Sequence, residues 1–400
     1  MALFRSLLLL VFVTLVVSKV PPMGLTLLSD PEARCLDGTP GGFYLFRNAS
    51  DTRWVVFLQG GGWCYSLKEC VGRAGTDLGS SKNWSATVMK DDEAPGLFDN
   101  DPSVNPFWAF NKVYVMYCDG GSFSGNVDRP VRVGSTSLYF RGKAILRSVI
   151  RTLVQQGGMG GASQVLLSGC SAGGLSTYLH ADAVGAMLPS SVTVYKAAPI
   201  SGFFLDRTTL SGQSVYNAQM RNVYRFQNAS VDEDCVVAHS DTPEDCMFAE
   251  HVWPFISTPI FATNSMYDSW SLSNIFVVDD SWTACFLRVA SCNVTQVRIL
   301  NSVWQTTFLQ RILQPDTLYV TSNMRNPNGC YLDSLLSHCE AGFVWNELQI
   351  QGVTPAQAWW RWFNDLQSTN RYIDCTLHET APYSCAQLKK DVEKVPIVVG

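Results

Sequence analysis

Histidine is scarce in this chain, with only five in 400 residues, so few imidazoles are available for acid–base work. No Cys/His cluster has the paired spacing of a zinc site, because Cys375-x-x-His378 lacks a matching second pair, and no metal is expected. The formal net charge is −5 and no basic stripe runs along the chain, which excludes phosphate neutralisation and with it nucleic acid as a partner. After the N-terminal segment no apolar run approaches membrane-spanning length, and residues 395–400 are too brief for a lipid-anchor signal. Linkers, low-complexity tracts and internal repeats are also missing, so residues 19–400 read as one domain with one large core.

Residues 1–18 carry a single early Arg5 and then an apolar run over 7–17, followed by the polar, proline-bearing Ser18-Lys19-Val20-Pro21-Pro22. That is the pattern of a signal peptide, and no membrane span is expected once it is cleaved. Thirteen cysteines and four N-x-S/T sequons, at Asn48, Asn83, Asn228 and Asn293, match an oxidising compartment. The expectation is a secreted, glycosylated protein of the extracellular space or cell wall.

Short β-branched runs at 54–59, 112–118, 164–169, 192–198, 259–264 and 317–323 read as strands. Helical stretches separate several of them. The clearest is 139–156, with Leu138, Phe140, Ile145, Ile150 and Leu153 on one stripe and Gly157-Gly158 as the stop. This alternation predicts an α/β fold, a mostly parallel central sheet flanked by helices, with functional loops at the strand C-termini. The irregular segment 206–253, holding Cys235 and Cys246, reads as a surface elaboration or lid.

The strand at 164–169 runs into Ser168-Gly169-Cys170-Ser171-Ala172-Gly173-Gly174 and then a helix, which is the pattern of a nucleophile elbow. There the serine sits at a sharp bend and needs small flanking residues, and the helix N-terminus aims N–H groups at an incipient oxyanion. A serine hydroxyl needs an imidazole to take its proton and usually a carboxylate to orient that imidazole. His180 lies nine residues along the elbow's own helix, too far to turn back, and His239 and His251 fall in the irregular segment. His338, after a helix-like 331–336 run, is favoured as the base and His378 is the runner-up. The acid is Asp268, in the loop that follows the apolar run 259–264, whereas Asp279, Asp280 and Asp316 follow no comparable strand. Gly60-Gly61-Gly62 after the first core strand resembles an esterase oxyanion loop, which nominates Gly61, Gly62 and Ala172 as donors.

These segments, together with Cys35-Leu36-Asp37-Gly38 and Pro40, Trp63-Cys64, Tyr117-Cys118-Asp119-Gly120, Gly202-Phe203-Phe204-Leu205-Asp206, Tyr267-Asp268-Ser269-Trp270 and His338-Cys339, resemble the pectin acetylesterases, the family that also contains the Notum carboxylesterases. The resemblance runs along most of the chain. It implies an α/β-hydrolase-like fold, no cofactor, and a Ser171, Asp268, His338 triad. Two positions depart from the family pattern, Gln59 in place of glutamate and Glu340 in place of glutamine.

Within that picture Cys64 and Cys70 are expected to staple the glycine loop, and Cys35 to tie the N-terminal segment to Cys118. Cys235–Cys246, Cys285–Cys292 and Cys375–Cys385 are candidate local pairs, since spacing alone leaves the connectivity open, and Cys170 is expected to be the unpaired thiol of the odd total. Trp63, Phe123 and Trp270 are expected to line the substrate groove. The function expected is removal of acetyl groups from an acetylated extracellular polysaccharide. Two rivals keep the same scaffold: removal of a long acyl chain from a signalling protein, for which a deep apolar cavity would be needed, and glycan binding without catalysis.

Overall fold

A computed structural model describes residues 20–90, 94–314, 327–339, 344–367, 370–377 and 387–388. The leader reading over 1–18, the strand reading over 317–323, His378 and Cys385 lie outside these residues. The strands that form the main sheet are β1 (Met23–Leu27), β2 (Gly42–Phe46), β3 (Arg53–Leu58), β4 (Thr87–Val88), β5 (Asn111–Val115), β6 (Gln164–Cys170), β7 (Val194–Ile200), β8 (Phe261–Ser265), β9 (Gly329–Asp333) and β10 (Arg371–Ile373). Their spatial order is β10-β9-β8-β7-β6-β3-β5-β2-β1-β4. From β10 to β5 neighbouring strands are parallel, and β2, β1 and β4 continue the sheet antiparallel.

A parallel sheet buried on both faces demands strands that are apolar at every position, and β3 shows how. Trp54, Val56 and Leu58 enter the core on one side of the sheet, while Val55 and Phe57 enter the core on the other. The first side is closed by Ile145, Val149 and Leu153 of one helix (Gly142–Gln155) and by Leu175 and Leu179 of the helix α1 (Ala172–Gly185). Trp359, Trp362 and Phe363 of a third helix (Pro355–Phe363) cover the second side. That helix starts with Pro355 after a Thr354 cap whose side chain and Gln357 form a capping box.

The same patterning hides β9. The run 331–336 reads as helix-like, yet 329–333 is a fully buried strand between β8 and β10, where burial on both faces erases the alternation that marks a strand. Segment 206–253 is likewise not a lid laid over the surface. It contains the helix Tyr216–Phe226, and Tyr216, Met220, Val223, Phe248 and Val252 are buried in the main core.

Strand order reverses at β3: β5 lies on one side of it and β6 on the other. The carboxyl ends of β3 and β6 therefore flank a crevice, and such switch points are where open α/β sheets carry their sites.

Among the described residues five disulfides close the fold: Cys35–Cys118, Cys64–Cys70, Cys170–Cys339, Cys235–Cys246 and Cys285–Cys292. The third corrects the expectation of an unpaired Cys170, because two cysteines 169 positions apart meet only once the sheet has brought their loops together. No helix among the described residues is long and apolar enough to cross a membrane.

Candidate active site

Ser171 sits between β6 and α1 with φ 60° and ψ −125°, a backbone state that costs about 1–3 kcal/mol and is held by its surroundings. Its N–H donates to Ile200 O at 3.0 Å, and its own carbonyl starts the helix by accepting from Leu175 N at 2.9 Å. The flanking glycines are required by contact. A Cβ on Gly173 would lie 2.0 Å from Leu58 O, one on Gly169 would lie 2.4 Å from Gly173 O, and one on Gly174 would lie 2.3 Å from Ile200 O.

The glycine loop presses on this bend from β3, since a Cβ on Gly60 would fall 2.4 Å from Cys170 O and 3.0 Å from Ser171 Cβ. Gly61 and Gly62 have φ of 132° and 63°, which glycine adopts without strain. Their carbonyls are drawn away from the crevice: Arg73 Nη1 donates to Gly61 O at 2.9 Å and Tyr117 Oη to Gly62 O at 2.8 Å. The N–H groups of Gly61, Gly62 and Ala172 have no protein acceptor among the described residues. Three backbone donors beside a serine can receive a negatively charged oxygen.

Asp268 follows β8 and is almost fully buried. One carboxylate oxygen accepts Ser271 N at 2.8 Å, capping the turn that begins there, and the other accepts His338 Nδ1 at 2.7 Å. The orienting bond defines the tautomer, leaving Nε2 as the basic nitrogen. Nε2 is buried without a hydrogen-bond partner among the described residues. No hydrogen bond joins it to the Ser171 hydroxyl in this structure.

The loop after β9 carries His338 across the strand ends in fixed steps. Ser265 Oγ at the end of β8 donates to Leu335 O, Ser269 N donates to Ser337 O at 3.1 Å, and Cys339 N donates to Ser201 Oγ, just past β7, at 3.0 Å. The last step is the Cys170–Cys339 disulfide, with 5.9 Å between the Cα atoms. It joins the residue before Ser171 to the residue after His338. Cys339, like Ser171, has a positive φ, 66°.

Of the three aromatic residues nominated as groove lining, Trp63 is buried with its Nε1–H on Ser122 Oγ at 2.7 Å, and Trp270 is half-buried with its ring centroid 6.3 Å from that of His338. Phe123 is fully buried against Tyr117. Asn83, Asn228 and Asn293 are exposed and Asn48 is half-buried; the side-chain amides of Asn48 and Asn228 donate to Ala109 O at 2.7 Å and Asn126 O at 3.0 Å. Among the described residues two side-chain clusters have metal-like composition, and both have other commitments: Cys235 and Cys246, near His239, are joined in a disulfide, and Asp206 and Asp245, near His251, pair with Arg221.

Most of the chain matches known proteins. The model of the family described as Pectinacetylesterase matches residues 17–385. The chain belongs to the pectinacetylesterase family. Relatives include pectin acetylesterase 5 of Arabidopsis thaliana, 32% identical with 88% of this chain and 81% of that protein covered. Pectin acetylesterase 7 of the same plant is 31% identical over 95% of this chain and 97% of its own length. The palmitoleoyl-protein carboxylesterase notum1a of Danio rerio is 26% identical, covering 87% and 67%. Among solved structures, the Drosophila Wnt deacylase Notum superposes with a TM-score of 0.67 at 23% identity, over 89% of this chain and 97% of that one. The fold is thus α/β-hydrolase-like, and membership of the family makes the chain a carboxylic ester hydrolase.

Sequence reasoning gave no role to the residues that hold the candidate site in place here. Tyr117 stands in one of the motifs that carry the resemblance, but its bond to Gly62 O, like those made by Arg73, Ser122 and Ser201 to other backbone groups, is marked by no local spacing. Cys339 had a signal, its place directly after a candidate base, which went unused.

Proposed function

We propose that the chain is a secreted serine carboxylesterase that hydrolyses acetyl esters of extracellular polysaccharide. Ser171 Oγ attacks the ester carbonyl while His338 Nε2 takes its proton, and Asp268 steadies the imidazolium through Nδ1. The carbonyl oxygen, now negative, receives the N–H groups of Gly61, Gly62 and Ala172. Collapse expels the sugar oxygen, which leaves with the proton from His338, and an acetyl-serine remains. Water, deprotonated by His338, attacks this second ester, and acetate departs as Ser171 regains its proton.

The observation that carries the reading is the Asp268–His338 hydrogen bond at 2.7 Å, delivered to the serine bend by the Cys170–Cys339 link. A binding protein without chemistry has no use for such a pair, nor for a strained serine beside three unclaimed N–H groups. The names of the relatives support an acetylated polysaccharide as substrate. Five disulfides among the described residues and the sequons at Asn48, Asn83, Asn228 and Asn293 support export, with residues 1–18 as leader and 19–400 as a single esterase domain. Replacing Ser171→Ala is expected to abolish hydrolysis of a small acetyl ester and of acetylated pectin while leaving secretion and folding intact. Retained activity overturns the proposal.

A further inference from the structure

Four aromatic rings from separate parts of the chain meet beside His338. Trp63 follows the glycine loop, Phe204 lies in the loop after β7, Tyr216 opens the helix Tyr216–Phe226, and Trp270 stands two residues after Asp268. Ring centroids are 5.1 Å apart for Trp63–Phe204 and Phe204–Trp270, 5.6 Å for Trp63–Trp270 and 5.7 Å for Tyr216–Trp270. Phe204 and Trp270 also lie 6.2 and 6.3 Å from the His338 ring. Trp63, Phe204 and Tyr216 are 6%, 1% and 2% exposed, and Trp270, half-buried, is the most exposed of the four.

We propose that Trp270, backed by these three rings, closes the acyl side of the site and restricts it to short acyl esters. The proposal rests on the catalytic reading above and adds which part of the substrate meets the box. In that chemistry the leaving oxygen must approach His338 Nε2 and remains attached to a sugar within a polymer, so the alcohol side has to open to solvent. Only the acyl group is small enough to enter a wall of buried rings. A methyl group can rest on the face of Trp270, but each further methylene needs volume that the indole occupies.

The rings behind Trp270 cannot yield that volume. Trp63 is tied through Ser122 Oγ to Ala172 O at 2.9 Å, and Phe204 and Tyr216 are packed on every side. Trp270 itself lies within the turn capped by Asp268, where Ser271 N meets the carboxylate at 2.8 Å. Swinging its backbone away would disturb the group that orients His338. Trp270 is therefore a specificity-determining residue whose ring, not its backbone, sets the limit.

The test measures kcat/KM for p-nitrophenyl acetate, butyrate and octanoate, which share one leaving group, with the secreted wild-type enzyme, Trp270→Ala and Trp270→Phe. Wild type is expected to lose rate steadily with chain length. Trp270→Ala is expected to raise the octanoate-to-acetate ratio by about tenfold or more, with Trp270→Phe between the two. A loosened site would slow all three esters together and leave the ratio unchanged, so the ratio separates a size limit from a structural role. An unchanged ratio in a folded variant overturns the proposal, as does a wild type that cleaves octanoate as fast as acetate. If Trp270→Ala does not fold, Trp270→Phe and Trp270→Leu carry the same comparison. Ser171→Ala, measured in parallel, keeps the two claims apart: persisting hydrolysis defeats the catalytic reading, whereas an unchanged ratio in a Ser171-dependent enzyme defeats only the role of Trp270.

Discussion

Asp268 performs two tasks with two oxygens. The cap on Ser271 N anchors the carboxylate, so the oxygen given to His338 cannot rotate away, and an ordinary helix-capping residue becomes an orienting one. An amide has only one carbonyl oxygen. In Asp268→Asn that oxygen can retain the cap, and the NH₂ then faces Nδ1 and forces the wrong imidazole tautomer. The expected result is a fall in kcat of about 10⁴-fold with little change in KM for a small ester and an unchanged melting temperature within a few degrees. Steady-state kinetics with near-UV circular dichroism as the folding control checks it; a loss confined to KM would mean that Asp268 positions substrate instead. Asp268 was readable in the sequence because a strand-like apolar run empties into it, whereas its second bond to Ser271 needed coordinates.

At the scale of elements, the strand, bend and helix around Ser171 are a local unit, and local units are legible. Small residues at 169, 173 and 174 are demanded by carbonyls within 2.4 Å of where their Cβ atoms would stand, so the motif is visible without knowing the rest of the fold. The loop that delivers His338 is the opposite case. Its strand, β9, has no alternation because both faces are buried, and its course over the ends of β8 and β7 depends on bonds to Ser265, Ser269 and Ser201. The closing disulfide spans 169 positions, which is why Cys170 read as the spare thiol. Replacing both cysteines, Cys170→Ala with Cys339→Ala, is expected to lower stability by about 2–5 kcal/mol. Even at temperatures where the variant is folded, kcat should drop by roughly 10²-fold, because small misplacements of a base are costly. Urea titration and kinetics on the same sample separate these effects. Full kcat in the folded variant would show that the three hydrogen bonds alone carry His338 to its place.

Taken as a whole, the molecule gathers its site from the carboxyl ends of parallel strands, and two buried titratable groups of opposite consequence meet at the loop 117–124 behind the glycine turn, Asp119 on the loop and His180 packed against it. His180 of α1 donates its Nε2–H to Ser122 O at 2.9 Å, and burial, with the bond to Ser122 opposing and Lys143 assisting, pushes its pKa down to about 4. The unfolded chain binds that proton near the ordinary value of 6.5, so acidification from pH 6.5 to 4 favours unfolding, by about 3 kcal/mol in all. Asp119 is pushed up to about 6 by burial, against hydrogen bonds from Phe123 and Gly121 and the charge of Arg73. Here the folded state binds the proton first, so acidification through the same window favours folding by a comparable amount. The two slopes nearly cancel in the wild type, and single substitutions should expose each one. Relative to wild type, His180→Gln is expected to gain stability between pH 7.5 and 4.5, and Asp119→Asn to lose it, with the difference of unfolding free energies from urea titration at the two pH values as the readout. Parallel profiles for both variants and wild type would mean that neither group keeps its buried protonation state, and that the loop behind Gly62 is wetter than its packing implies.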